Sequence, residues 1–469
     1  MSSKEPSYTS LLQLINLDVE SKRWHIIFIV FFISVIYLWK KTHRNFPNGP
    51  LVWPLIGNLD FFRSKSHIRL TNLKDKYGDV YSIKIGKHDA VIVCSFEGVM
   101  ELARAEQLYE VIYGRPDFMS HHVLYRGDRQ RGMNTFVKSI STADMDEKMI
   151  VKRKFLVESI DSYCSTETGI EDKISLEALS LTCFFMQQTD PFDPAECFQF
   201  AHLHIMMSLV FNQKYNPEDE TLDEIFESFE ERSEAKRRQF YDYCPFLNSF
   251  YREQFQRISH RTTLQLKHQK IILNHHKDMY NPTNLKDMTD HLLHFIENNE
   301  DHCLINNDDM DYLLLDLAGS GFAAVPSLLT WLLGYMALFP QVQAKVQEEL
   351  DSVVGRERFP SLHDQPFVPY TMAVILEVHR IVTVFPFLLP YRTIKNCYDL
   401  PKDTLMFFNI WSIHHDKRYW KNPMRFDPER FLDETRSLVI PDYFIPFGVG
   451  ERRCPGESLV EVEVFIFFT

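Results

Sequence analysis

The sequence predicts a mainly α fold with a minor β part: a single large domain over residues 60–469, set behind an N-terminal transmembrane helix. Three observations carry this. Helical periodicity dominates from Val151 to about Phe339, with apolar residues three and four apart and polar faces between them. Strand-like alternation is confined to short stretches. A run of apolar residues, Trp24 to Trp39, is interrupted only by His25 and Ser34 and is followed by "KKTHR".

In chain order, residues 1–23 read as a lumenal segment and 24–39 as a retained membrane anchor. About twenty apolar residues span a bilayer, and flanking Trp, Lys and Arg reach the interface. No small-residue cleavage site follows the run, so it does not read as a removable signal. Lys40, Lys41 and Arg44 place the bulk of the chain on the cytosolic side, against a weaker opposing pair, Lys22 and Arg23. Residues 40–59 combine that basic stop with "FPNGPLVWPLIGNL", whose prolines and glycines predict a stiff, extended hinge. Tyr77 to Ser95 alternates with period two on either side of Gly-Lys-His-Asp and predicts a β-hairpin. Beyond Phe339, "QVQAKVQEELDSVVG" and "PYTMAVILEVHRIV" predict two further helices, followed by a mixed region.

Composition narrows the function. Apolar residues make up 45% and charged residues 25% of the 469-residue chain, enough to bury a large core, and 38 Phe suit a roomy apolar interior. A net charge of −13 excludes nucleic-acid binding by bulk electrostatics. Eight scattered cysteines without a CxxC pair argue against a disulfide scaffold or a zinc cage. The adjacent histidines at 121–122, 275–276 and 414–415 lack metal-ligand spacing, because neighbours in a helix or strand point apart.

One cysteine stands out. In "PFGVGERRCPGE" (446–457), Cys454 lies in a glycine-rich loop opening a helix, two residues after Arg452. A thiolate needs an electropositive setting, glycines permit close approach of a flat cofactor, and an arginine can pair with that cofactor's carboxylate. These features suit a cysteine-ligated haem, while a buried thiol beside a turn stays open on the residues alone.

The segment resembles the haem-binding signature FxxGxRxCxG of the cytochrome P450 family at Phe447, Gly450, Arg452, Cys454 and Gly456. Glu377 and Arg380 in "LEVHR" match the family's ExxR, and Arg430 in "DPERF" matches the third member of its Glu-Arg-Arg network. The resemblance runs from about Phe46 to the end and points to the animal microsomal clan of aromatic-hydrocarbon and steroid hydroxylases. It implies heme b with Cys454 as axial iron ligand, and Arg452 and Arg392 on its propionates. It also implies an apolar substrate, electrons from an NADPH-dependent flavoprotein reductase, and an endoplasmic-reticulum membrane with the catalytic domain on the cytosolic side. Lys417, Arg418, Arg425 and Arg453 are candidates for meeting that reductase.

Three departures qualify the match. The family's WxxxR is missing where Trp is expected, as if a short piece were lost around "YRGDRQRGMNTFVKSIS", leaving Arg131 or Lys138 as substitutes. The chain stops soon after Cys454 where relatives continue, so a C-terminal truncation is expected. Finally, "LAGSGFAAVPS" (317–327) falls on the helix crossing the distal haem face. It is not a dinucleotide loop, because helix rather than a second strand follows. The family's [A/G]Gx[D/E]T positions are here Ser320, Gly321, Phe322, Ala323 and Ala324, so the acid and the threonine that relay protons in relatives are both alanine. Pro326 deprives the Phe322 carbonyl of its helical donor, and a water there, with Ser320, is the expected replacement for part of that relay. The reading is a monooxygenase, loosely similar to arthropod ecdysteroid-synthesis enzymes. The alternatives are a rearranging family member that does not activate oxygen, and a non-catalytic truncated relative.

Overall fold

The computed structural model describes His25 and residues 28–33, 46–53, 56–59, 64–104, 109–118, 120–121, 124, 139–164, 170–213, 220–237, 240–244, 249–298, 305, 307–396 and 400–469. The chain divides into two units, Met1–Pro47 and Asn48–Thr469. Of the expected anchor, only His25 and residues 28–33 fall among the described residues. They are helical, with Phe28 and Phe32 stacked 6.4 Å apart. No single described helix is long and apolar enough to cross a membrane.

The larger unit is mainly helical with one small sheet. Its principal helices are α1 (Ser66–Tyr77), α2 (Phe96–Arg104), α3 (Glu147–Cys164), α4 (Ile170–Gln187), α5 (Ala195–Phe211) and α6 (Glu220–Arg237). There follow α7 (Arg252–Met279), α8 (Met288–Asn298), α9 (Asn307–Ala318), α10 (Ala324–Leu338), α11 (Pro340–Val353), α12 (Pro369–Val382) and α13 (Glu457–Phe468).

The predicted hairpin forms as β1 (Val80–Ile85) and β2 (His88–Val93), antiparallel and closed by Gly86 and Lys87. Two strands from far along the chain, β3 (Tyr391–Arg392) and β4 (Leu405–Phe408), complete the sheet in the order β1-β2-β4-β3. Strand β4 runs parallel to β2, Ala90 opposite Leu405, and is buried along its whole length. A run buried on both sides reads as continuously apolar, so "LMFF" carries no alternation. The proline-rich stretch is docked rather than free. Ser82 N–H donates to Asn48 O (3.2 Å) and Gly86 N–H to Ile56 O (3.0 Å), so Asn48 onward belongs to the main unit.

Helix α5 is central. From Ala201 to Phe211 every residue except His204 is buried, as expected for a helix apolar on all sides. It packs on α4, α9 and α10, and α13 packs on α3, α4 and α10. The α4, α5, α9–α10 and α13 segments thus form a four-part helical core. Two charged groups inside it, His202 and Glu463, are nearly inaccessible (3% and 0%) and must therefore find partners.

Candidate functional site

The loop before α13 is held by short-range bonds that the glycines permit. Cys454 N–H donates to Phe447 O at 2.9 Å, and Gly450 has φ 68°. A Cβ on Gly450 would stand 2.7 Å from the Tyr113 hydroxyl and 3.2 Å from Ala103 O, so this corner requires glycine. Phe447 lies edge-on to His379 at 5.1 Å, and Gly456 precedes the first turn of α13. Cys454 keeps accessible surface, yet burial raises its thiol pKa against the Gly456 amide, Arg153 and Arg453. The thiol is thus exposed at the loop, next to the Arg153 and Arg453 side chains that oppose that rise.

A cationic cluster, buried at Arg115 and Arg452 and half-buried at Arg153, lies beside it. Arg452 donates to Tyr113 O (2.5 Å) and Ala143 O (2.7 Å), while its Nε has no hydrogen-bond partner. Arg115 donates to Leu389 O (2.7 Å) and Pro390 O (2.9 Å) and lies 4.7 Å over the Tyr391 ring; its Nε is likewise unpaired. Arg153 of α3 completes the cluster and donates to the Arg453 carbonyl. Burial, then repulsion from Arg115 and Arg153, pulls the Arg452 pKa down to about 9. Arg115 and Arg153 are lowered chiefly by burial as well. Such a group calls for an anion, because buried charge without a counter-charge is costly.

Arg392, also expected to reach a cofactor carboxylate, has several partners within the protein. Its guanidinium donates to Arg115 O (2.8 Å), Asp403 (2.6 Å) and Asp144 (2.7 Å), so it braces Arg115 and its donors are already committed. Arg131 and Lys138 lie outside the described residues. Arg153, four residues after Met149 on α3, supplies the arginine of a WxxxR spacing with Met in the Trp position. The sequence reading, which offered Arg131 or Lys138, missed Arg153 because Met149 stands where the motif's Trp would mark the spacing.

Farther out, Glu377 and Arg380 are fully buried and form two bonds, 2.7 and 2.8 Å. Arg430 Nε adds a third, to Glu377 at 3.1 Å, and Arg380 also donates to His414 O at 2.7 Å. His414 is pressed well below its usual pKa by burial and takes a hydrogen bond from Ile445 N–H, tying this network to the Cys454 loop. The Glu-Arg-Arg network thus forms as the motif implied.

Opposite these elements by sequence logic, "LAGSGFAAVPS" is a break between two helices. Helix α9 ends at Ala318, α10 starts at Ala324, and Gly321 has φ 73°. Ala324 and Val325 N–H both point to Gly321 O, at 2.8 and 3.0 Å. Pro326 therefore sits in the first turn of α10, where a missing N–H costs nothing; it does not kink a continuous helix. Ser320 Oγ donates to Leu317 O (2.8 Å), so its hydroxyl is already engaged within the helix end. Phe322 is buried against Phe226 (5.3 Å) and Phe229 (5.6 Å) of α6, which makes it a packing residue. Ala323 and Ala324 are half-buried at the break.

In the 275–276 pair, His275 is exposed. His276 contacts Phe211 O (3.0 Å) and Asp290 (3.3 Å), and Asp287 caps α8 through Asp290 N–H (2.9 Å). With both ring nitrogens occupied, this buried triad reads as a helix cap.

The profile of the family described as Cytochrome P450 matches residues 47–469. The chain belongs to the cytochrome P450 family. It is 30% identical over 448 residues to cytochrome P450 1A5 of Gallus gallus, covering 90% of this chain and 82% of the relative. Cytochrome P450 1A1 of Cavia porcellus is 31% identical over 442 residues (90% and 84%). The steroid 17-alpha-hydroxylase/17,20 lyase of Rana dybowskii is 33% identical over 438 residues (89% and 81%). The family implies a haem-thiolate cofactor, and this P450 fits it. Cys454 offers an accessible thiol at the signature loop, and the orphaned Nε atoms of Arg115 and Arg452 suit the carboxylates of such a group.

Proposed function

We propose that this P450 is a membrane-anchored, heme b-dependent monooxygenase of the endoplasmic reticulum, with its catalytic domain on the cytosolic side. It would insert one oxygen atom from O2 into an apolar, steroid-like substrate, with electrons from NADPH through a flavoprotein reductase. The observation that carries the reading is the accessible Cys454 thiol beside the Arg115–Arg153–Arg452 cluster, in which Arg115 and Arg452 are buried with unpaired Nε atoms. When bound, the haem supplies oxygen activation. Cys454 would hold its iron, Arg115, Arg153 and Arg452 would neutralise its carboxylates, and the Glu377–Arg380–Arg430 network would brace the loop. Among the basic residues proposed to meet the reductase, Lys417 and Arg425 are exposed. Arg418 is held by Asp79 and Asp416, and Arg453 by Glu457.

Ala323 and Ala324 leave the break without an acid or a hydroxyl at the two relay positions. Ala324→Thr is the direct test of what that omission means. With NADPH consumption and product measured together, unchanged coupling supports a relay by water, and a sharp rise shows that the native relay is inadequate. The same two alanines favour a second reading, a rearrangement needing no oxygen protonation. Turnover that requires neither O2 nor NADPH would establish it and end the monooxygenase reading.

A further inference from the structure

His202 lies where three elements of the helical core meet. On α5, its Nδ1 faces both carboxylate oxygens of Glu463 on α13, at 2.8 and 3.0 Å. Its Nε2 lies 2.8 Å from the carbonyl oxygen of Ser320, at the break between α9 and α10. A carbonyl only accepts, so Nε2 carries a proton. The carboxylate draws a second to Nδ1, and the ring acts as an imidazolium with both donors used.

The break is shaped around this ring. In a continuous helix the Ser320 carbonyl would receive the Ala324 N–H, but that N–H and the next both go to Gly321 O. His202 supplies the bond the helix does not. A Cβ on Gly321 would come within 2.7 Å of His202 Nε2 and 2.8 Å of Cε1, so the ring occupies the space a side chain at 321 would need. Nothing within the break substitutes for it: Ser320 Oγ is bonded to Leu317 O, and Ala323 and Ala324 have no polar side-chain atom.

We propose that His202, locked by Glu463, is the positioning residue that holds the α9–α10 break open by donating to Ser320 O and wedging over Gly321. Its bearing on reactivity rests on the P450 reading, in which the break faces the distal side of the haem. The shape of that side is then set by a neighbouring helix instead of by the side chains at 323 and 324.

The test uses the haem-loaded full chain. Amide hydrogen exchange over residues 315–330 reads the break, and the optical titration of the haem with imidazole reads the distal face. His202→Phe keeps bulk and removes the donors. Exchange at Ala324 and Val325 should quicken about tenfold, and imidazole affinity should change by a similar factor, the expected scale of one lost buried hydrogen bond. His202→Gln keeps a donor toward Ser320 and should restore both to within about threefold of wild type. Replacing both residues, His202→Ala with Gly321→Ala, removes the wedge and adds a helix former, so the break should close and exchange there should slow. Should His202→Phe not fold, Glu463→Gln, which removes only the locking charge, decides by the same two measurements. Exchange and imidazole affinity both unchanged in whichever of these two variants folds would overturn the proposal. Failure of wild type to take up haem would instead sink the monooxygenase reading, leaving exchange to decide the clamp.

Discussion

Arg452 shows how a single residue ties fold to function. Its guanidinium is buried, bonded to three backbone carbonyls, and still short of a partner at Nε. Neither it nor Arg115 has a reason to sit there without an anion, which is the demand a cofactor carboxylate meets. Arg452→Leu or Arg115→Leu should each weaken haem retention by roughly 10–100-fold, the worth of a hydrogen bond to a charged group. Transfer of haem to excess apomyoglobin measures this directly; an unchanged rate would remove the residue from the cofactor site. Arg452 was legible because the signature names it, whereas Arg115 was not. Its role comes from Leu389 and Pro390, more than 270 positions away, and no local pattern reports such a pairing.

Among the elements, the broken helix is the most instructive. The sequence reading put "LAGSGFAAVPS" on one helix lacking the usual relay residues and placed its disruption at Pro326. In the fold the disruption lies earlier, at Gly321, and Pro326 merely starts α10. The cause is His202, 118 positions away, a partner invisible to periodicity. Burial alone would lower the His202 pKa, but Glu463 outweighs it and the pKa is raised above the usual 6.5. Protonation is thus favoured by folding. The stabilisation is complete below pH 6.5 and is lost as pH rises through the raised value. Thermal unfolding of wild type and His202→Gln should differ most at and below pH 6.5 and converge at higher pH. A gap that widened with pH would contradict the imidazolium assignment. The hairpin and α11 and α12 were legible because their signals are local; the parallel pairing of β2 with β4 joins segments more than 300 residues apart.

Across the molecule, the Cys454 loop with its buried ion-pair network contrasts with the α9–α10 break, where Ala323 and Ala324 carry no polar side-chain atom. The Glu377–Arg380–Arg430 network belongs to the former. Glu377→Ala would leave Arg380 buried and unpaired, costing about 3–5 kcal/mol, seen as a large fall in thermal midpoint; a small fall would mean the network is dispensable. Family membership was legible because its motifs cluster around one loop and one helix. The substrate was not, since no motif of the sequence carries it. The central claim is that Cys454 is the thiolate ligand of a bound haem. The reduced carbon-monoxide difference spectrum of the expressed protein tests it most directly. A Soret band at the thiolate-ligated position, lost in Cys454→Ala, is the predicted result; no haem uptake, or a thiolate band that survives Cys454→Ala, would contradict it.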